Sequence, residues 1–495
     1  MRSIGHWING SETTSTSGRS GPVWDPVTGM QAAEVALASR TEVDEAIKVA
    51  RGAFADWRTV SLARRSEILF RFRELLSANR QDIADLVTAE HGKTAADASG
   101  EVARGLENVE FACGLTQLLK GEHSEQASSG VDVYSVRQPL GVVAGITPFN
   151  FPAMVPLWML ANALACGNAF VLKPSEKDPS PSLLIGRLLK ESGLPDGVFN
   201  VVNGDQEAVE ALLASQDVAA ISFVGSTPVA RHIYESGTRS GKRVQALGGA
   251  KNHMVVLADA DLGLAADAAV SAAYGSTGER CMAVSVVVAV GDVADPLVEA
   301  IAERLSKLHV GPGSDPVSEI GPLITREHRD RVASYLQGAT SGGARIVYDG
   351  RSHSVPAEGF FLGPSLVDHV EAEMDVYRDE IFGPILGVVR VDTYAEALRL
   401  VNTNPYGNGA AIFTRDGGAA RQFQFDCEAG MIGVNVPIPV PIAAYSFGGW
   451  KASLFGDTHM YGPDGIRFYT RTKVITSRWP DPATSRIDLG FPRNR

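Results

Sequence analysis

The chain has 495 residues, of which 44% are hydrophobic and 21% charged, and its net charge is −12. That length is too great for one hydrophobic core and predicts two or more domains, while the negative charge argues against nucleic acid as a partner. No apolar run approaches the roughly 20 residues of a membrane-spanning helix, and Met1–His6 has no signal-peptide core. The four cysteines, Cys113, Cys166, Cys281 and Cys427, lack the paired spacing of a zinc site or a disulfide framework, so the expectation is free thiols in a reducing cytoplasm and no bound metal.

The first forty residues carry turn signals and short strand-like pieces, read as a peripheral β arm. Thr41 is expected to open a helix with Asp44 placed as in a capping box, and Ala46, Ile47, Ala50, Ala53, Phe54 and Trp57 form its apolar face. A second helix runs from about Ser61, with Leu62, Arg65, Leu69, Phe72, Leu76 and Ile83 at helical spacing. A third runs from about Ser99 to Leu119, its buried stripe made by Val102, Leu106, Val109 and Cys113, with Arg104 on another face. Residues 121–138 are polar and then β-prone, and Gly465 to Thr476 is similar, so these two distant pieces are expected to form one small sheet that needs a partner.

From Gly141 strand and helix alternate strictly. Strands are expected at Gly141 to Ile146, Ala169 to Leu172, Val198 to Val202, Ala219 to Val224 and Arg243 to Leu247. This is the pattern of a doubly wound parallel sheet. A second α/β segment begins near Lys251, with strands at Met254 to Leu257, Val284 to Val290, Ile385 to Val391, Ala410 to Phe413 and Ile432 to Val436. Ligands of such sheets bind beyond the carboxyl ends of the strands, so Phe149-Asn150, Lys173-Pro174-Ser175-Glu176 and Gly225-Ser226-Thr227 matter most.

Cys281, in Gly278-Glu279-Arg280-Cys281-Met282-Ala283, reads as a nucleophile, since a thiol at the mouth of a buried strand is held rigidly and Arg280 is expected to lower its pKa. The turn Gly225-Ser226 before a helix offers backbone N–H groups to a pyrophosphate. Lys173 and Glu176 suit ribose hydroxyls, and a carboxylate there repels an added phosphate. Asn150 suits a developing oxyanion. The common G-x-G-x-x-G dinucleotide fingerprint is absent from these strand ends.

Phe149-Asn150-Phe151-Pro152, Leu172-Lys173-Pro174-Ser175-Glu176, Phe223-Val224-Gly225-Ser226-Thr227, Gly278-Glu279-Arg280-Cys281 and Glu380-Ile381-Phe382-Gly383-Pro384 together resemble the aldehyde dehydrogenase superfamily over nearly the whole chain. The resemblance implies an α/β fold with a Rossmann-like cofactor domain (1–120 and 139–247), an α/β catalytic domain (248–461) and a small β oligomerisation domain (121–138 and 462–495). It implies Cys281 as nucleophile and Asn150 with the Cys281 N–H as oxyanion hole. NAD is the implied cofactor, with Lys173 and Glu176 on the adenosine ribose, Gly225 and Ser226 at the pyrophosphate, Glu380 on the nicotinamide ribose, and Phe149 and Phe382 in the cofactor site. A homotetramer, as a dimer of dimers, is the expected assembly.

One departure bears on the chemistry. Hydrolytic members carry Glu-Leu-Gly-Gly, whose carboxylate activates the deacylating water; here the text is Gln245-Ala246-Leu247-Gly248-Gly249. A missing general base slows thioester hydrolysis by roughly 10²–10⁴, whereas a thiol such as coenzyme A attacks without that help. Gly249-Ala250-Lys251-Asn252-His253, Asn404-Pro405-Tyr406-Gly407-Asn408-Gly409 and Gly433-Val434-Asn435-Val436-Pro437 are most similar to the CoA-acylating methylmalonate-semialdehyde dehydrogenase branch. That branch implies Arg104 and Arg280 as a two-pronged grip on a substrate carboxylate. The alternative expectation is a hydrolytic NAD-dependent enzyme that releases a free acid.

Overall fold

Val142–Ile146 and Ala169–Lys173 are buried along their whole length, as strands covered on both faces must be. In this computed structural model, which describes residues 2–480 together with 482, 483, 487 and 490, they lie at the centre of an eight-stranded sheet. Its parallel core runs Arg243–Leu247, Val218–Val224, Val142–Ile146, Ala169–Lys173, Phe199–Val201. The chain starts in the middle strand, winds outward to one side and then returns to the other. This leaves a topological switch point between Val142–Ile146 and Val218–Val224, and a crevice opens beyond their carboxyl ends.

The second sheet has seven strands in the order Arg345–Tyr348, Ser365–Asp368, Ile385–Val391, Val284–Val290, Asn252–Val256, Gly409–Phe413, Met431–Val434, all parallel except the first. Both sheets follow the expected alternation of strand and helix. Two strands were not expected, Arg345–Tyr348 and Ser365–Asp368; they are short and carry polar termini. A three-stranded antiparallel sheet, Thr470–Arg478, Val131–Pro139, His123–Ser128, joins the two distant β-prone pieces as expected.

Several local expectations are corrected. The first helix is Arg40–Trp57, and its capping box is Ser39 with Glu42 rather than Thr41 with Asp44, because Ser39 takes the extended backbone that an N-cap needs. The second helical run breaks at Asn79 into Leu62–Ala78 and Arg80–His91, which places Ile83 on the later helix. The third is Ala95–Cys113, capped by Thr94, and a separate turn, Leu115–Leu118, follows it. Gly462–Phe468 is a helix with proline in its first turn, so the C-terminal strand begins only at Thr470. The arm is not wholly peripheral, since His6–Ile8 and Ser11–Thr13 form an antiparallel edge of the large sheet. The other edge is Leu454–Phe455, from late in the chain.

Ala95–Cys113 packs on Met154–Ala165, a helix buried on every side. Gly105 permits that approach: a Cβ there would lie 2.6 Å from Leu157. The contact fixes one wall of the site described next.

Candidate active site

Cys281 lies between two cavities. The first, about 300 Å³, is bounded by Asp97, Arg104, Met154, Trp158 and Phe447 and contains Arg280. The second, about 390 Å³, occupies the switch-point crevice, between Phe149 and Asn150 on one strand end and Gly225 and Ser226 on the other. A half-buried thiol is thus reachable from both sides.

The loop that presents Cys281 is strained. Ser276 and Thr277 have φ of 49° and 57°, followed by Gly278 at 74°. Consecutive left-handed non-glycine residues persist only where surroundings hold them. Here the Cys281 carbonyl accepts hydrogen bonds from Asn252 Nδ2 at 2.9 Å and Asn408 Nδ2 at 3.0 Å. The thiol's pKa contradicts the expected lowering by Arg280. Burial, and then the negative charge of Glu380, push it up to about 12. Arg280 is instead engaged by Asp97, with Nη2 donating to Oδ1 at 2.5 Å.

Asn150 is buried beside the thiol loop, with Nδ2 donating to the Glu279 carbonyl at 3.0 Å. Its own carbonyl accepts from Lys93 Nζ at 2.5 Å. Arg104 and Arg280 reach one cavity from different elements, and each already has a carboxylate partner. Arg104 pairs with Glu107 at 2.8 Å and also donates to the Val440 carbonyl at 3.3 Å.

In the crevice, Glu380 accepts from the Ala250 N–H at 2.9 Å, and burial raises its pKa to about 7. A Cβ on Gly249 would stand 2.3 Å from its Oε2, so a larger residue there would push the carboxylate aside. Phe382, at φ 59°, packs edge-on against Phe149 at 5.9 Å. Gly225 and Ser226 precede the helix Thr227–Arg239, whose free N–H groups suit a pyrophosphate. Lys173 and Glu176 are paired at 3.1 Å at the next strand end, but the lysine lining the cavity is Lys177, stacked 4.6 Å above the Phe149 ring. With Arg331 it gives the crevice two cations, so its donors fit a dinucleotide phosphate.

Sequence reasoning missed a buried polar group behind the site. Lys93 and Glu101 form an ion pair at 2.6 Å with both side chains fully buried, and Glu101 also accepts the N–H groups of Ala153 and Met154. Lys93 lies 3.9 Å above the Phe151 ring. Glu279 is fully buried near His91 and His328, and burial raises its pKa to about 8. The available signal was Glu101 itself, an acid on the stripe that also carries Ala98, Val102, Gly105 and Val109.

A thiol, an amide donor and a phosphate-binding crevice at a switch point agree with the match found for residues 13–475, which fit the aldehyde dehydrogenase family. The chain belongs to the aldehyde dehydrogenase family. Within it, the chain is 55% identical to malonate-semialdehyde dehydrogenase of Pseudomonas aeruginosa over 496 residues, covering 99% of this chain and 100% of the relative. It is 47% identical to malonate-semialdehyde dehydrogenase 2 of Geobacillus kaustophilus, covering 97% and 99%. The crystal structure of methylmalonate-semialdehyde dehydrogenase from Oceanimonas doudoroffii matches with a TM-score of 0.96 at 54% identity, covering 98% of this chain and 99% of that one. A structure from Sinorhizobium meliloti 1021, described as a methylmalonate-semialdehyde dehydrogenase complexed with NAD, matches with a TM-score of 0.97 at 49% identity, covering 98% and 99%. This aldehyde dehydrogenase therefore has its doubly wound sheet, its second α/β sheet and its small antiparallel sheet in the family's arrangement. Among the described residues no helix is long and apolar enough to cross a membrane.

Proposed function

We propose that this chain oxidises malonate or methylmalonate semialdehyde through a thioester on Cys281 and passes the acyl group to coenzyme A, giving acetyl-CoA or propionyl-CoA. The observation that carries the reading is one thiol standing between a cavity with two arginines and a crevice with phosphate-binding donors. The names of the relatives at 55% and 47% identity support the substrate class. NAD⁺, when bound, supplies the hydride acceptor. Gly225 and Ser226 would hold its pyrophosphate, Lys173 and Glu176 its adenosine ribose, Glu380 its nicotinamide ribose, and Phe149 and Phe382 the walls around it.

Cys281 adds to the aldehyde carbon, and Asn150 with the Cys281 N–H takes the oxyanion. Arg104 and Arg280 grip the far carboxylate and set the aldehyde over the thiol. Once the thioester exists, that carboxylate lies β to its carbonyl, and loss of CO₂ leaves an enolate that the same two donors stabilise.

Deacylation is where this chain departs from hydrolytic enzymes. Ala246 is fully buried in a strand paired with Phe455, and its neighbour Gln245 is tied to Ser222 Oγ and the Thr458 carbonyl. Neither side chain is a base for water, whereas the thiol of coenzyme A ionises on its own at about pH 8.5 and attacks as the thiolate, the bond to Cys281 breaking and the freed Cys281 sulfur taking up a proton. The three-stranded sheet, within 121–138 and 462–495, is proposed to join subunits into a homotetramer in the cytoplasm. The proposed cofactor domain covers 1–120 and 139–247, and the catalytic domain 248–461.

Quenching a single turnover of methylmalonate semialdehyde without coenzyme A and weighing the Cys281 peptide tests the scheme. A propionyl adduct is expected. A methylmalonyl adduct would place decarboxylation after transfer, and an unmodified Cys281 would overturn the thioester.

A further inference from the structure

Asp97 stands in the first turn of the helix Ala95–Cys113, where an acid commonly serves its own helix. Its carboxylate reaches elsewhere. Oδ2 accepts from the Ser276 N–H at 3.0 Å and from the Ser276 hydroxyl at 3.1 Å, while Oδ1 accepts from Arg280 Nη2 at 2.5 Å. One half-buried side chain thus holds the first residue of the left-handed run before Cys281 and also one of the two arginines of the carboxylate cavity.

Arg280 is confined on three sides. Nη2 is held by Asp97, and Nε donates to Ser276 Oγ at 3.3 Å. The guanidinium also packs against Gly275, where a Cβ would come within 2.6 Å of Nη1 and 2.8 Å of Cζ. The rest of its five donors remain for a ligand in the cavity that Asp97, Ser276, Arg280 and Cys281 line together. A guanidinium fixed in this way loses less freedom when it takes up a carboxylate.

We propose that Asp97 is a positioning residue that sets Arg280 for the substrate carboxylate and, through Ser276, keeps the nucleophile loop in its left-handed form. The proposal rests on the reading of Arg280 as a carboxylate ligand. It makes recognition of the substrate's far end and presentation of the thiol depend on one acid, 184 positions from Cys281 in the sequence.

The test compares Asp97→Asn, Asp97→Ala and Arg280→Ala, with malonate semialdehyde and propanal as substrates and iodoacetamide as a probe of the thiol. Cys281 is the reactive cysteine for this probe, since Cys113, Cys166 and Cys427 are buried. Asp97→Asn is nearly isosteric and keeps one acceptor oxygen. It is expected to raise KM for malonate semialdehyde roughly tenfold, as the loss of one charge-assisted hydrogen bond would, and to leave KM for propanal within about twofold. Asp97→Ala is expected to slow alkylation of Cys281 more than Asp97→Asn does, because only the amide can still accept from the Ser276 N–H.

If Arg280→Ala separates the two substrates but Asp97→Asn changes both KM values equally or neither, Asp97 has no positioning role and the cavity reading stands. If Arg280→Ala itself does not separate them, the carboxylate reading and this proposal fall together. Unchanged alkylation in Asp97→Ala overturns the coupling to the thiol loop.

Discussion

Replacing Glu279 by glutamine should stabilise the protein at alkaline pH and not at acid pH. Glu279 is fully buried, and its one hydrogen-bonded oxygen accepts a long 3.4 Å contact from the Ile324 N–H, while Oε2 lies 3.8 Å from His91 Nε2 and has no hydrogen bond among the described residues. Its histidine neighbours offer no positive charge, since burial holds His91 well below its usual pKa and brings His328 down to about 4. The carboxyl therefore ionises near 4.5 in the unfolded chain but only near 8 when folded. Below pH 4.5 both states are protonated and the group costs nothing. As pH rises through that window only the unfolded chain gains by ionising, at about 1.4 kcal/mol per pH unit, so the folded state loses roughly 5 kcal/mol by pH 8. Glutamine does not titrate. Urea unfolding of wild type and Glu279→Gln at intervals from pH 5 to pH 8.5 should give a stability difference that grows with pH in favour of the variant. Two curves that stay parallel across the window would refute the reasoning.

Lys93→Met leaves the Glu101 carboxylate buried without its cation and should cost about 3 kcal/mol in urea unfolding, with Lys93→Met/Glu101→Gln costing less than the sum of the single changes. Arg104→Ala should raise KM for malonate semialdehyde at least tenfold while KM for propanal moves little; equal effects would remove Arg104 from the substrate cavity. Glu380→Gln should speed iodoacetamide alkylation of Cys281 above about pH 7, where the native carboxylate is charged and raises the thiol pKa, and should have little effect below it.

The parallel strands were legible because each is a short run of apolar residues bounded by turn signals, as in Val284–Val290. The positions after them carried the site, since in a doubly wound sheet topology alone brings Asn150 and Gly225 to one crevice. Gly465 to Phe468 reads as strand because Gly465, Ile466, Arg467 and Phe468 alternate in polarity, whereas the helix Gly462–Phe468 that contains them is set by tertiary packing, with Gly465 against Asn162. The Lys93–Glu101 pair and the cluster around Glu279 were illegible for a similar reason. A charged residue in a sequence reads as surface, and only the folded chain shows which charges are enclosed together. The thiol's high pKa was hidden too, because the adjacent Arg280 suggests a nearby positive charge that Asp97 in fact engages.

The central claim is that acyl transfer goes to coenzyme A because Gln245 and Ala246 stand where hydrolytic enzymes carry the carboxylate that activates water. It is tested most directly by following NADH formation from malonate semialdehyde and NAD⁺ with and without coenzyme A, while identifying the acyl product. The account predicts sustained turnover only with coenzyme A, yielding acetyl-CoA. Equal turnover without it, yielding free acid, would contradict the account.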